Sequence, residues 1–444
     1  MVTKLRRSSW ILSFALLAGA TPAWAQGNLE DLLLDILSQG VTLAPPAEGT
    51  DHSAHFTAES ATETSQFAAV RSLNLEVGRQ VSTFPQASSA GGFSYQFDPE
   101  LGVLTRPTHS FGAVYSDRPF TVGRGKYNVG VAFAQFSYDE IDGIGLRDGG
   151  MSLVFAHEDA DENGLTTPFF EGDVVTAQLF VGLDVNVAAF TATYGVSDRF
   201  DMGINIPILD VALDIATVAN VERLATEDAA PTTHLFTNGT TSSTTRRGGE
   251  VTGVGDVSFT GRWLLAEYTP DDLRAAFTGT LRLPTGDEEN FLGSGGTEIG
   301  GAFLLSQPLQ AAAWHGLLGI SAGSNDLPLQ FHYSTGFDWA VDSKLTVAAD
   351  LLGRFVNERA EVVVEDEDYL YNQATDGSVS LATASFPTLA VTGEDESRNV
   401  LNASFGFKLN VVSTVLLTAN GVVPLNDSGL RDEFSTLFGI DYSF

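Results

Sequence analysis

From residue 173 to the C-terminus, apolar and polar side chains alternate with a period of two, segment after segment. In 178–189, Leu179, Val181, Leu183, Val185 and Val187 share one face, against Gln178, Gly182, Asp184 and Asn186. In 255–265, Val257, Phe259, Gly261, Trp263 and Leu265 oppose Asp256, Ser258, Thr260 and Arg262. In 329–341, Phe331, Tyr333, Phe337 and Trp339 oppose His332, Ser334, Gly336 and Asp338. Neighbouring side chains of a strand point to opposite faces, so each segment is a two-faced strand. A soluble sandwich alternates as well, and three further features select a membrane barrel. The polar face carries small residues and charges of both signs, as a water-filled lumen does. Connections alternate between short turns (195–199, 267–272, 342–344, 410–413) and longer polar stretches (219–253, 284–297, 356–398), the pattern of periplasmic turns and external loops. The chain ends Phe434, Thr436, Phe438, Ile440, Tyr442, Phe444 on one face, an ending that resembles the signal read by the outer-membrane assembly machinery.

These rules predict an all-β chain, a transmembrane antiparallel up-and-down β-barrel with an irregular N-terminal region. Its strands fall near 127–139, 174–193, 200–217, 254–266, 273–283, 297–306, 315–323, 329–341, 345–355, 399–409, 414–423 and 433–444. That is twelve, and two more from the N-terminal region would make fourteen. Around Pro207 the apolar parity shifts from Phe200, Met202, Ile204 and Ile206 to Val211, Leu213 and Ile215, which predicts a bulge. Trp263, Trp314 and Trp339 all fall at the short-turn ends, where tryptophan belongs at a membrane interface.

Residues 1–25 read as a cleaved signal peptide: Lys4, Arg6 and Arg7, an apolar core at 10–20, and Ala23-Trp24-Ala25 before the cut. Residues 26–120 form a plug or periplasmic region, and 121–444 the barrel. In the former, Asn28 caps a short helix with Leu29, Leu32, Leu33, Ile36 and Leu37 inward and Gly40 ending it. Residues 41–70 are loosely ordered, and 73–79, 92–97 and 111–115 are candidate short strands. No stretch reaches the ~18 consecutive apolar residues of a spanning helix. There is no Cys, which excludes disulfides, a lipidated Cys and thiolate chemistry. The formal charge is −33, and a binder of nucleic acid is excluded on that balance. The acids concentrate in 140–173 and 357–397, which read as external loops.

One family comes into view on a series of short motifs. They are Gly123-Arg124-Gly125-Lys126-Tyr127-Asn128-Val129-Gly130; Tyr194-Gly195-Val196-Ser197-Asp198-Arg199-Phe200-Asp201; Asn205-Ile206-Pro207; Gly253-Val254-Gly255-Asp256-Val257; and Leu281-Arg282-Leu283-Pro284-Thr285-Gly286-Asp287. In this order they resemble the outer-membrane transporters of the MetA-pathway of phenol degradation family, over roughly residues 90–444. A more distant likeness is to fatty-acid and toluene channels. The resemblance implies a barrel that passes small, often aromatic or apolar, compounds. The motifs themselves are hairpin turns and strand ends.

Parity nominates Asp184, Asp256, Asp338, Asp350, Arg262, Arg274, Arg282, Arg354, Lys408 and His332 as lumen-lining, and Ile440, Tyr442 and Phe444 as the assembly signal. His332-Tyr333-Ser334 invites comparison with a Ser–His hydrolase pair. Parity puts both in the lumen, and no Asn follows to orient the histidine, so two lumen-lining polar residues is the better account. The acids Glu158, Asp159, Asp161, Glu162 and Glu365–Asp368 match no EF-hand spacing and read as solvated loops. His52 and His55 are a pair too small to specify a metal site, and Gly293–Gly296 lacks the Lys and helix of a phosphate loop. The resulting expectation is an exported outer-membrane channel for small organic solutes, bedded in lipid and lipopolysaccharide, without catalytic residues, metal or cofactor. The alternative is a barrel whose acidic external loops serve attachment, with an outer-membrane hydrolase third.

Overall fold

The computed structural model describes residues 28–38, 43–44, 56, 63–82, 96–98, 103–105, 110–157, 169–224, 233–266 and 273–444, except 326, 360, 375, 377, 392–395 and 413 within the last range. The signal peptide, His52, His55 and the Glu158–Glu162 cluster lie outside these residues.

Twelve antiparallel strands close into a barrel: β1 (Tyr127–Tyr138), β2 (Val174–Ser197), β3 (Phe200–Glu222), β4 (Val257–Ala266), β5 (Arg274–Leu283), β6 (Glu298–Leu309), β7 (Ala312–Gly323), β8 (Gln330–Ala340), β9 (Leu345–Arg359), β10 (Glu396–Val412), β11 (Val415–Pro424) and β12 (Ser435–Ser443). Each pairs with its sequence neighbours, and β12 returns to β1 in the register Thr436↔Gln135 through Ser443↔Asn128. Phe444 and Tyr127 exchange both backbone hydrogen bonds, so the last residue seals the seam. Closure leaves no unpaired edge in the hydrocarbon, the condition a sheet must meet to span a membrane. Among the described residues, no helix is long and apolar enough to cross.

The outward face is an exposed apolar belt that includes Met202, Phe259, Phe303, Phe331, Phe405 and Phe438. At the short-turn end it finishes in aromatic pairs. Tyr127 lies 4.6 Å from Tyr194 and 5.3 Å from Phe444, and Phe200 stacks on Trp263 at 4.3 Å. Trp263 and Trp339 are exposed at that end, forming the interfacial girdle expected of a membrane barrel.

Strands β2 and β3 run well past the belt. Above it, β2 takes up a further strand, Met151–Ala156, and β3 takes up Ser242–Val254. The 219–253 connection is therefore mostly strand, and the 356–398 connection carries a hairpin, Val362–Asn372 with Leu381–Val391. Acids Glu365–Asp368 lie on that hairpin.

The N-terminal region contributes two helices to this long-loop end, α1 (Asp31–Ser38) and α2 (Glu63–Ser82). α1 begins as the sequence predicts, with Leu29 and Leu33 buried. α2 corrects two expectations: residues 63–70 are helical, and 73–79 are helix, with Leu73 and Val77 in the core rather than in a strand. Residues 96–98 do form a strand, paired with 103–105. Leu29, Leu33, Leu73, Val77, Phe291 and Leu292 share one apolar cluster with the inner face of upper β2 and β3. Beside it, His234 Nδ1 and Asp173 Oδ2 lie 2.7 Å apart, fully buried.

Pro207 does not mark a bulge. Its pairing opposite Ala189 belongs to an unbroken register, and the one shift in the β2–β3 pair lies between Gly195 and Ser197. The other side of Pro207 faces the gap where β3 leaves β4 and takes up Ser242–Val254, with Gly255 N donating to its carbonyl. No acceptor there requires the missing N–H.

Candidate functional site

Residues 110–122, predicted in part as a short strand, instead run as an irregular, almost wholly buried segment through the barrel interior. Their partners come from strands spread around the whole wall. Thr346 Oγ1 of β9 accepts from Phe111 N at 2.9 Å, and Asp350 Oδ2 from Tyr115 N at 3.5 Å. Lys408 Nζ of β10 donates to the carbonyls of Ala113 at 2.6 Å and Phe111 at 3.5 Å. Ser116 meets Ser334 of β8 at 3.2 Å. Arg262 of β4 pairs with Asp117 at 3.0 Å, and Asp201 Oδ2 of β3 accepts from Val122 N at 2.9 Å. A chain that reaches β3, β4, β8, β9 and β10 in thirteen residues crosses the lumen. The Phe120 ring is flanked by Arg274 at 4.6 Å and Arg118 at 5.4 Å, so cation–π contacts hold it as well.

Of the sequence-nominated residues, Arg262, Arg274, Asp350 and Lys408 therefore converge on one segment. Asp338 is buried against His315 and accepts from Ser110. Arg282 pairs with Glu298 at 3.2 Å, wall to wall. His332 Nε2 lies 2.9 Å from Ser321 Oγ on β7, while Ser334 meets Ser116. His332 and Ser334 thus serve different partners, which leaves no nucleophile–base pair between them. Arg354 faces inward beside His332.

Two nominations need correction. Asp184 points outward: its side chain is 51% exposed and pairs with Arg147 at 2.8 Å. It lies above the belt, where the outward face is wet and therefore polar. Asp256 is at the barrel mouth rather than along the lumen. Its two carboxylate oxygens accept from Gly286 N at 3.1 Å, Ser294 N at 2.8 Å and Ser294 Oγ at 2.6 Å, folding the 284–297 connection over the wall. Sequence reading missed His315, Asp117, Arg118 and Asp201. His315 and Asp201 carry the polar parity of their strands, whereas Asp117 and Arg118 lie in a stretch without periodicity and offer no such signal.

The short motifs assemble in two places. Gly195 has no room for a Cβ, which would lie 1.9 Å from the Gly123 carbonyl oxygen. Gly125 N donates to Gly195 O, Gly195 N to Lys126 O, and Thr121 Oγ1 to Asp198 O. The Gly123–Gly130 and Tyr194–Asp201 motifs thus clamp the lumen segment where it leaves the barrel at the short-turn end. At the opposite end Thr285 Oγ1 donates to Gly255 O and accepts from Val257 N, tying the Gly253 and Leu281 motifs together around Asp256.

Beneath α2, between Gln80 and Tyr115, the lumen holds a cavity of about 270 Å³. Its walls mix apolar side chains, among them Phe136, Leu317 and Leu352, with His332, Arg354 and Arg431.

No family profile and no curated protein matches the chain. Solved structures with some likeness include the Ralstonia pickettii toluene transporter TbuX, at 13% identity over 72% of this chain and 90% of that one, TM-score 0.26. A Pseudomonas aeruginosa FadL homologue is 10% identical over 80% and 97%, TM-score 0.30. CdiB from Acinetobacter baumannii is 8% identical over 72% of this chain, which spans 60% of CdiB, TM-score 0.27. At these scores the likeness carries no residue-by-residue correspondence.

Proposed function

We propose that the chain is an outer-membrane channel for passive passage of small organic compounds, held closed at rest by residues 110–122. The observation that carries this reading is how the inner wall spends its charges. In a barrel built only to stand, lumen acids and bases would pair with each other. Here Arg262, Asp350 and Lys408 bind a segment from outside the wall, through contacts that can be exchanged for water. Twelve strands enclose more than side chains alone fill, so displacing that segment leaves a path. The same reading makes Ile440, Tyr442 and Phe444, exposed in a row beside the seam, the assembly signal.

Replacing Arg262 and Lys408 together by Gln tests this. Each hydrogen bond to a charge contributes about 1.5–3 kcal/mol net. Single-channel conductance events in planar bilayers should therefore rise roughly tenfold to a hundredfold, at one decade per ~1.4 kcal/mol. Heat-modifiable migration on a gel would show the variant folded. If folded wild type and variant both fail to conduct or take up solute, the channel reading is wrong and surface attachment takes its place.

A further inference from the structure

The cavity under α2 contains an electrostatic imbalance that identifies what it would bind. Arg431 is 5% exposed. Its guanidinium donates to Asn402 Oδ1 at 2.8 Å, to the Leu401 carbonyl at 3.5 Å and to Asn426 Oδ1, all neutral acceptors. Its Nε has no hydrogen-bond partner, and no carboxylate pairs with it among the described residues. A buried cation held only by neutral dipoles carries a desolvation cost that an opposite charge relieves. Arg354 borders the same space and adds a second positive charge.

One acid, Asp432, also lines the cavity. Its oxygens already accept from Ser137 N at 3.0 Å, Phe434 N at 3.1 Å and Ser435 Oγ at 3.2 Å, so it is committed to the backbone around it. Opposite the arginines the wall is apolar, with Tyr115, Phe136, Leu317 and Leu352. At about 270 Å³ the space is at the small end of ligand pockets, which run from ~300 to 1,000 Å³.

We infer that this cavity is a binding site for a compact organic anion, one ring-sized apolar body bearing a single carboxylate, with the carboxylate on Arg431 and Arg354 and the ring against Phe136, Leu317 and Leu352. This deepens the channel reading, because the site lies inside the barrel between the helix cap and the lumen segment. A neutral aromatic would fill the apolar half and leave Arg431 uncompensated. A long acyl chain would exceed the space.

The test measures binding, independently of conductance. Full-length folded barrel in detergent is titrated calorimetrically with benzoate, benzyl alcohol, palmitate and inorganic phosphate. Benzoate should bind at least tenfold more tightly than benzyl alcohol, with palmitate and phosphate no better than benzyl alcohol. Arg431→Gln should erase the preference for benzoate, and Arg431→Lys should keep part of it. Leu352→Trp should abolish binding of both aromatics by filling the cavity, and heat-modifiable migration reports folding of each variant. Equal affinity for benzoate and benzyl alcohol overturns the inference, as does a preference that survives Arg431→Gln in folded protein. Tighter binding of phosphate or palmitate than of benzoate overturns it too. A barrel that conducts without binding benzoate sinks this inference alone, and one that binds benzoate but never conducts sinks only the channel reading.

Discussion

Strands β2 and β3 each pass through two environments with opposite demands, and the two halves of one strand obey opposite rules. In the lower half of β3 the even residues Met202 and Ile206 face outward and are exposed, while Asp201 and Asn205 are buried inward. Above Pro207 the parity is unchanged, but Leu209, Val211, Leu213 and Ile215 now occupy the buried inner face, and Asp210 and Asp214 look out. β2 inverts at the same height, from Phe190 and Tyr194 outward below to Leu183, Val185 and Val187 inward above. Below, lipid lies outside and polar chain inside. Above, water lies outside and the apolar cluster of α1 and α2 inside. Alternation reports that a strand has two faces, and which face is apolar is set by the solvent on each side.

The largest effect that would break this comparison is a charge placed on the upper inner face. Val211→Asp puts an unpaired carboxylate at a position with no exposure, and should cost several kcal/mol, of the order of the 3–5 kcal/mol seen for uncompensated buried charges. Limited proteolysis should then release the α1–α2 region while the lower barrel resists. Asp210→Val, one residue away on the wet face, should change stability by no more than about 1 kcal/mol, the scale of its exposed hydrogen bonds to Thr252 and Asn186. Equal sensitivity at 210 and 211 would contradict the inversion.

A smaller effect is expected at the clamp below. Gly195→Ala drives a Cβ into the Gly123 backbone, and overpacking of that kind costs about 1–3 kcal/mol. The temperature at which the barrel loses its folded gel mobility should fall, and conductance should rise as the lumen segment loosens. Gly279→Ala, where the nearest atom to a new Cβ is 3.9 Å away, serves as the control and should change neither. Identical behaviour of the two variants would remove the clamp from the account.

Smallest of all is the expected effect at Asp184. As an exposed partner of Arg147 it contributes no more than about 1 kcal/mol, and Asp184→Asn should leave ion selectivity in planar bilayers unchanged. A shift in selectivity would return Asp184 to the lumen.

Period-2 alternation, turn chemistry and the aromatic C-terminus located all twelve barrel strands within a few residues, because each strand must satisfy two solvents along its own length. The seam between Phe444 and Tyr127, the girdle and the inward row from Arg262 to Lys408 follow from that local pattern. Whatever depends on chain meeting chain was not legible. Asp184 and the Pro207 shift were misread because alternation is the same on either side of an environmental inversion. Residues 110–122 lack periodicity because a segment bonded to five strands in turn has no repeating neighbour. The helix at 63–82 has a polar average, and only the walls of upper β2 and β3 supply the apolar surface that makes its Leu73–Val77 face worth burying. What the sequence by itself determined is therefore the wall, whose rule is local. What only the tertiary structure decided is what fills the wall, since the lumen segment, the helix cap and the cavity between them depend on contacts among residues hundreds of positions apart.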